Sequence, residues 1–169
     1  VQNLNMLLAA SQELKPLRRR IRALDTREDQ QLFIRLYRCW SHNAISALCL
    51  CLLTQSYEHA YNILRIFADL DVSLSMLLQI DKLVQLIESP IFTSLRLQLL
   101  EPQQNPFLFK CLYGMLMLLP QSSAFATLRN RLHAVNGLGQ VALPPDPSSR
   151  PYSAYLSNAS QASVSYTHL

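Results

Sequence analysis

Four cysteines, four histidines and a run of basic residues are the side chains in this 169-residue chain with the most obvious capacity for chemistry. Cys49 and Cys51 are two apart, so on a helix they point about 200° away from each other. Alone they cannot form a tetrahedral metal site. Neither Cys39 nor Cys111 stands at a ligand spacing from them, and His42, His59, His133 and His168 are scattered. Zinc ligands usually recur at two-residue or i,i+4 spacing, so no metal site is expected. Glu58 and His59 look like an acid and base pair, but helical neighbours diverge by about 100°. Most serines precede apolar periodic stretches, where capping explains them. Only Gly114, Gly137 and Gly139 are available, which excludes a phosphate-cradling glycine loop. No catalytic site and no cofactor are expected.

The charge is the sharper signal. The formal net charge is +4, and it resides near the start of the chain. Lys15, Arg18, Arg19, Arg20 and Arg22 crowd eight positions, with Arg27, Arg35 and Arg38 following. From Cys39 onward, basic and acidic residues balance. Such a run reads first as a solvated helix face. Its functional reading is contact with an anionic surface, either lipid head groups or an acidic partner. No aromatic side chain interleaves the cations, which argues against nucleic acid.

The elements that would carry these residues are helices. Half the residues are apolar and glycine is scarce, which suits packed helices better than a sheet rich in tight turns. Apolar stripes at helical spacing recur along the chain. The first is expected over residues 3–14 and the second over 16–24, with Pro16 in its first turn. Thr26 followed by Asp29 resembles a capping box ahead of Leu32, Phe33, Leu36, Tyr37 and Trp40. Ser41 and Ser56 are placed as caps for the next two helices, and Ser73 for a third that Pro90 stops. A shorter helix covers residues 91–100, and another runs from Pro106 to Leu119. Ser122 opens the last, with Gly137 as its C-terminal cap. Short antiparallel helix pairs joined by short connections stack into an array. The expected fold is therefore all-α, a fragment resembling a HEAT-like α-solenoid, with a compact irregular bundle as the competing architecture. Residues 1–139 form the helical domain. Residues 140–169, rich in proline and serine, are expected to be a disordered tail.

No apolar stretch approaches the roughly 20 residues of a bilayer span. No signal peptide is read at Val1, so reduced, mostly buried thiols in the cytosol are expected. Tyr57 and Tyr61 stand one turn apart on a helix. Tyrosine is common at interfaces because it joins a large apolar body to a polar tip.

Four ordered segments carry a resemblance. These are Leu53-Thr-Gln-Ser-Tyr-Glu-His-Ala-Tyr-Asn62, Asp81-Lys-Leu-Val-Gln-Leu-Ile-Glu-Ser-Pro-Ile-Phe-Thr93, Leu95-Arg-Leu-Gln-Leu-Leu100 and Leu112-Tyr-Gly-Met-Leu-Met-Leu-Leu-Pro-Gln-Ser-Ser-Ala-Phe125. Over about Leu32 to Leu132 the chain resembles the C-terminal region of the vacuole-morphology scaffold family, the associated regulators of the FYVE-finger phosphoinositide kinase. The resemblance implies a HEAT-repeat scaffold, cytoplasmic and peripheral on endosomal and vacuolar membranes. It implies binding to a Sac-domain phosphoinositide phosphatase and self-association into a homo-oligomer. Such a scaffold organises the complex that makes and removes phosphatidylinositol 3,5-bisphosphate. Contact with the kinase is implied mostly for a region this chain lacks. Candidate partner contacts within the matched segments are Tyr57, Tyr61, Pro90, Ile91, Phe92, Leu95 and Arg96, with Pro90 to Phe92 read as an apolar corner. The alternative function is a basic module that binds anionic membrane directly through Lys15 to Arg22.

Overall fold

The computed structural model describes residues 1–67 and 69–142, with side chains as far as Asn136. Among these residues there are nine α-helices and no strand. They are α1 (Gln2–Ala10), α2 (Lys15–Ala23), α3 (Arg27–Trp40), α4 (Ala44–Leu53), α5 (Tyr57–Phe67), α6 (Leu74–Ile87), α7 (Thr93–Gln98), α8 (Pro106–Leu118) and α9 (Ser123–Ala142). A 3-10 turn, Pro90–Phe92, joins α6 to α7.

The helix starts follow from local chemistry. Thr26 Oγ1 accepts the Asp29 N–H at 3.1 Å, and the Thr26 hydroxyl donates to Asp29 Oδ2 at 2.7 Å. Asp29 thus sits in the first turn, where a carboxylate is favoured by the free N–H groups and the helix dipole. Ser73 caps α6 and Ser122 caps α9 through their hydroxyl oxygens, as the spacing predicts. Two expected caps are corrected. Asn43, not Ser41, caps α4, because Asn43 Oδ1 accepts the Ser46 N–H at 2.7 Å. Ser41 instead closes α3, its hydroxyl donating to the Arg38 carbonyl. Ser56 lies before α5, but its hydroxyl pairs with Thr54 Oγ1 at 3.2 Å. The first helix ends at Ala10, not at residue 14. Gly137 does not end α9, which continues to Ala142, so residues 140–142 are helical. Otherwise the expected tail lies outside the described residues. With so few glycines, two turns place other residues in the left-handed region: Leu24 (φ 52°) after α2 and Gln55 (φ 62°) between α4 and α5.

Cross-helix contacts fix the topology. The start of α4 is joined to the first half of α6 by Asn43 Nδ2 donating to Gln79 Oε1 at 2.9 Å. Farther along both helices, Cys49 and Leu86 line one cavity, so α4 and α6 run parallel. Ser122 donates to Asp81 at 2.9 Å near the middle of α6, and Arg131 pairs with Glu88 at its C-terminal end. Hence α9 runs parallel to α6. At the opposite end of the row, Asn5 of α1 bonds Trp40 just before α4. The four helices α1, α4, α6 and α9 therefore form one row. In the second row, Tyr61 stacks near Phe107 and Leu64 packs on Gly114, so α5 and α8 also run parallel. Between the rows, α4 packs against α3 and α5, and α8 packs against α9, each joined to its chain neighbour by a short connection. This is the solenoid step the helix lengths suggest. The 3-10 turn and α7, Pro90–Gln98, interrupt the alternation of the rows between α6 and α8.

The core lies between the rows. Every residue of α4 from Ile45 to Leu53 is buried, because α1, α3, α5 and α6 all pack around it. Its sequence has no charged residue to turn outward. At the row's ends the faces differ. α1 turns Leu4 and Leu7 outward to solvent, whereas α9 turns out Thr127, Asn130 and His133.

Candidate partner-binding surface

The seven expected contact residues divide by burial. Phe92 and Leu95 are each 1 % exposed and belong to the core. The apolar corner is thus built inward: its side chains hold the turn after α6 instead of offering themselves to a partner. Tyr57 is 7 % exposed, with its hydroxyl donating to Gln98 of α7. Burial raises the pKa of its phenol. These three side chains are corrected from surface contacts to packing groups. Arg96 is half-buried and tied to the end of α6, donating to the carbonyls of Ile87 and of Ser89, the latter at 2.6 Å. Pro90 is exposed, and Ile91 and Tyr61 are half-buried. Only these last three keep accessible apolar surface.

The basic run also divides. Arg18 is 7 % exposed and donates to the carbonyls of Leu8 (2.8 Å) and Ser11 (2.6 Å). It satisfies oxygens that the end of α1 leaves without partners. Burial, then the nearby Arg22 charge, lowers its pKa from the ordinary guanidinium value. Arg22 Nε donates to Leu53 O at 3.2 Å, at the end of α4. Arg18, Arg22 and Arg96 therefore each hold the C-terminal carbonyls of one helix in the first row, where a cation also suits the dipole. Arg20 pairs with Asp29 at 2.7 Å, joining α2 to α3. Lys15 and Arg19 are exposed and engage no side chain. A membrane-facing cation patch is thereby reduced, since Arg18 and Arg20 already have partners.

Spatial assembly reveals a surface that spacing alone does not show. Half-buried aromatic side chains from separate helices follow one another across the second row. Phe33 lies 6.0 Å from Tyr37, between ring centres, and Tyr37 lies 5.2 Å from His59, to which its hydroxyl is bonded at 2.6 Å. Tyr61 and Phe107 are 6.1 Å apart, and Lys110 Nζ sits over both rings. Tyr113 accepts from Asn136 at 2.5 Å. Beside this series an open groove of about 540 Å³ runs between the starts of α5 and α8, lined by Glu58, His59, Asn62, Gln104, Asn105 and Phe107. The only advance signal was the tyrosine pair in α5. Phe33 and Tyr37 read as part of an ordinary apolar stripe until the rows are assembled.

The remaining reactive groups are quiet. Cys49, Cys51 and Cys111 are buried, which pushes each thiol up to about 12, and Cys39 is exposed. Among the described residues no three His, Cys, Asp or Glu side chains converge to hold a metal. No described helix is long and apolar enough to cross a membrane.

Comparison with known proteins is consistent with a binding region. A family model described as vacuolar protein 14 C-terminal Fig4p binding matches residues 1–135. The match reaches back to the first residue and so takes in α1 and α2, beyond the Leu32–Leu132 stretch that carries the resemblance. Protein VAC14 homolog of Schizosaccharomyces pombe is 54% identical over 132 residues, 78% of this chain and 16% of that protein. Vacuole morphology and inheritance protein 14 of Saccharomyces cerevisiae is 46% identical over 136 residues, 80% and 15%. Protein VAC14 homolog of Arabidopsis thaliana is 48% identical over 137 residues, 80% and 18%. The matched region is thus 15–18% of the length of these relatives. No solved structure matches the chain.

Proposed function

The chain belongs to the family described as vacuolar protein 14 C-terminal Fig4p binding, and from that membership we propose that it is a non-catalytic scaffold region that docks the Sac-domain phosphoinositide phosphatase. In the whole protein, self-association and the FYVE-finger phosphoinositide kinase, bound mostly through another region, would complete an assembly on endosomal and vacuolar membranes. Control of phosphatidylinositol 3,5-bisphosphate would then come from proximity. Enzymes held on one scaffold meet at an effective concentration in about the millimolar range.

The observation that favours one face for this docking is the half-buried aromatic series over α3, α5 and α8, which borders an open groove. Aromatic side chains dominate interface energetics when a partner completes their burial. Lys110 above Tyr61 and Phe107 adds a cation to the patch. Of the contact residues suggested by sequence, Tyr61 lies in this surface.

Co-purification of the phosphatase with the full chain tests the proposal. Tyr61→Glu and Lys110→Glu are expected to reduce recovered phosphatase by about tenfold or more, the scale of a lost interface anchor. Both side chains are accessible, so helical circular dichroism should be unchanged. Undiminished recovery with both variants would move the phosphatase off this face.

A further inference from the structure

We propose that the cleft between α2 and the Pro90–Phe92 turn is a docking site for a short acidic peptide segment of a protein partner, with an apolar side chain between two carboxylates. This inference does not rest on the phosphatase reading, and it concerns a different surface.

The cleft has a volume of about 230 Å³. One wall is the α2 stripe of Lys15, Arg18, Arg19 and Arg22, and the other is Pro90 and Ile91. Positions 15, 19 and 22 follow i, i+4, i+7 spacing, so one face of α2 presents the cations together. Arg20 points elsewhere, to Asp29. No carboxylate lines the cleft. Like charges one turn apart destabilise a helix unless an anion intervenes, and here the Arg22 charge disfavours the charge on Arg18. The site is therefore a concentration of positive charge without a counterion.

Shape and chemistry select the occupant. From residue 15 to residue 22 the helix rises about 10 Å, the reach of about three residues of extended chain. An acid–apolar–acid triplet would set its carboxylates on Lys15 and on the unused donors of Arg19 and Arg22. Guanidinium groups grip carboxylates in paired, charge-assisted hydrogen bonds. The central side chain would rest on Pro90 and Ile91. A bilayer is a poorer fit, because the cations face a second wall and only a few are unengaged. Each adds about 1 kcal/mol at an anionic surface.

Fluorescence anisotropy with a labelled Gly-Ser peptide carrying a central Asp-Leu-Asp tests the site on the full chain. Saturable binding that weakens with salt is expected, reduced about tenfold by Lys15→Glu with Arg19→Glu. Both residues are exposed and engage no side chain, so folding should be preserved, as circular dichroism would report. Arg65→Glu, an exposed cation on α5, should bind the peptide as the parent does. The proposal is overturned if the double variant binds equally well, if Arg65→Glu weakens binding as much, or if no saturation occurs. Pelleting with phosphatidylcholine vesicles containing about one-fifth phosphatidylserine, lost in the double variant, would reassign the cleft to membrane. The chain itself carries Asp69-Leu70-Asp71, with Leu70 exposed. Light scattering that shows concentration-dependent mass in the parent but not in the double variant would reassign the cleft to a second copy.

Discussion

At the scale of single residues, the arginines have mostly structural employment. Arg18, Arg22 and Arg96 each reach carbonyl oxygens at a helix end. The charge run was plain in the sequence, but its division was not, because a guanidinium on a long stem finds partners seven to thirty-one positions away. The Thr26–Asp29 cap was legible, since both of its bonds span three residues. Asp29 yields a test of pH dependence. Its hydrogen bond from Thr26, then that from Arg20, holds the carboxyl below its usual range. A carboxyl whose folded pKa is depressed stabilises the fold above its unfolded value, and the contribution fades as pH falls through the folded value. Asp29→Asn should lower the melting temperature at pH 7. The gap from the parent should narrow as pH drops below about 4, where the unfolded carboxylate begins to protonate. A gap that stays constant from pH 7 to pH 2 would rule out the ionised carboxylate as its source.

At the scale of elements, apolar periodicity located every helix to within a few residues, because each stripe records which side meets the core. It was less informative where burial is complete. In α4 no single face can be separated out, because nearly the whole helix is enclosed. Phe92 and Leu95 were misjudged for a related reason. A turn after a proline reads as an exposed corner, and only the packing of α6 and α7 shows that its side chains point inward. α1 offers the clearest energetic test. Few of its side chains are buried, so the bonds from Arg18 to its C-terminal oxygens matter for its attachment. Arg18→Ala should cost about 1–3 kcal/mol in chemical denaturation, the penalty for polar groups left unpaired on burial. Arg19→Ala, one position along and exposed, should stay within about 0.5 kcal/mol.

At the scale of the whole molecule, the two parallel rows give a gradient of protection. α4 is surrounded by helices, while α1 lies at the margin of its row. Native-state hydrogen exchange should therefore be slowest in α4 and fastest in α1, since local opening follows the apolar contacts that must be broken. Uniform exchange along the chain would mean that the array opens as one block. The all-helical class was readable from composition and periodicity. The parallel rows were not, because they depend on side chains such as Asn43 and Gln79, 36 positions apart, meeting between helices. The two margins of the array also differ in kind. Leu4 and Leu7 give the α1 side a wettable-resistant flank, whereas Thr127, Asn130 and His133 finish the α9 side in hydrophilic groups. Lengthening by one more helical pair is thus polar in direction. An added pair would gain oily contact at α1 without disturbing an existing bond, but would have to strip hydration from α9.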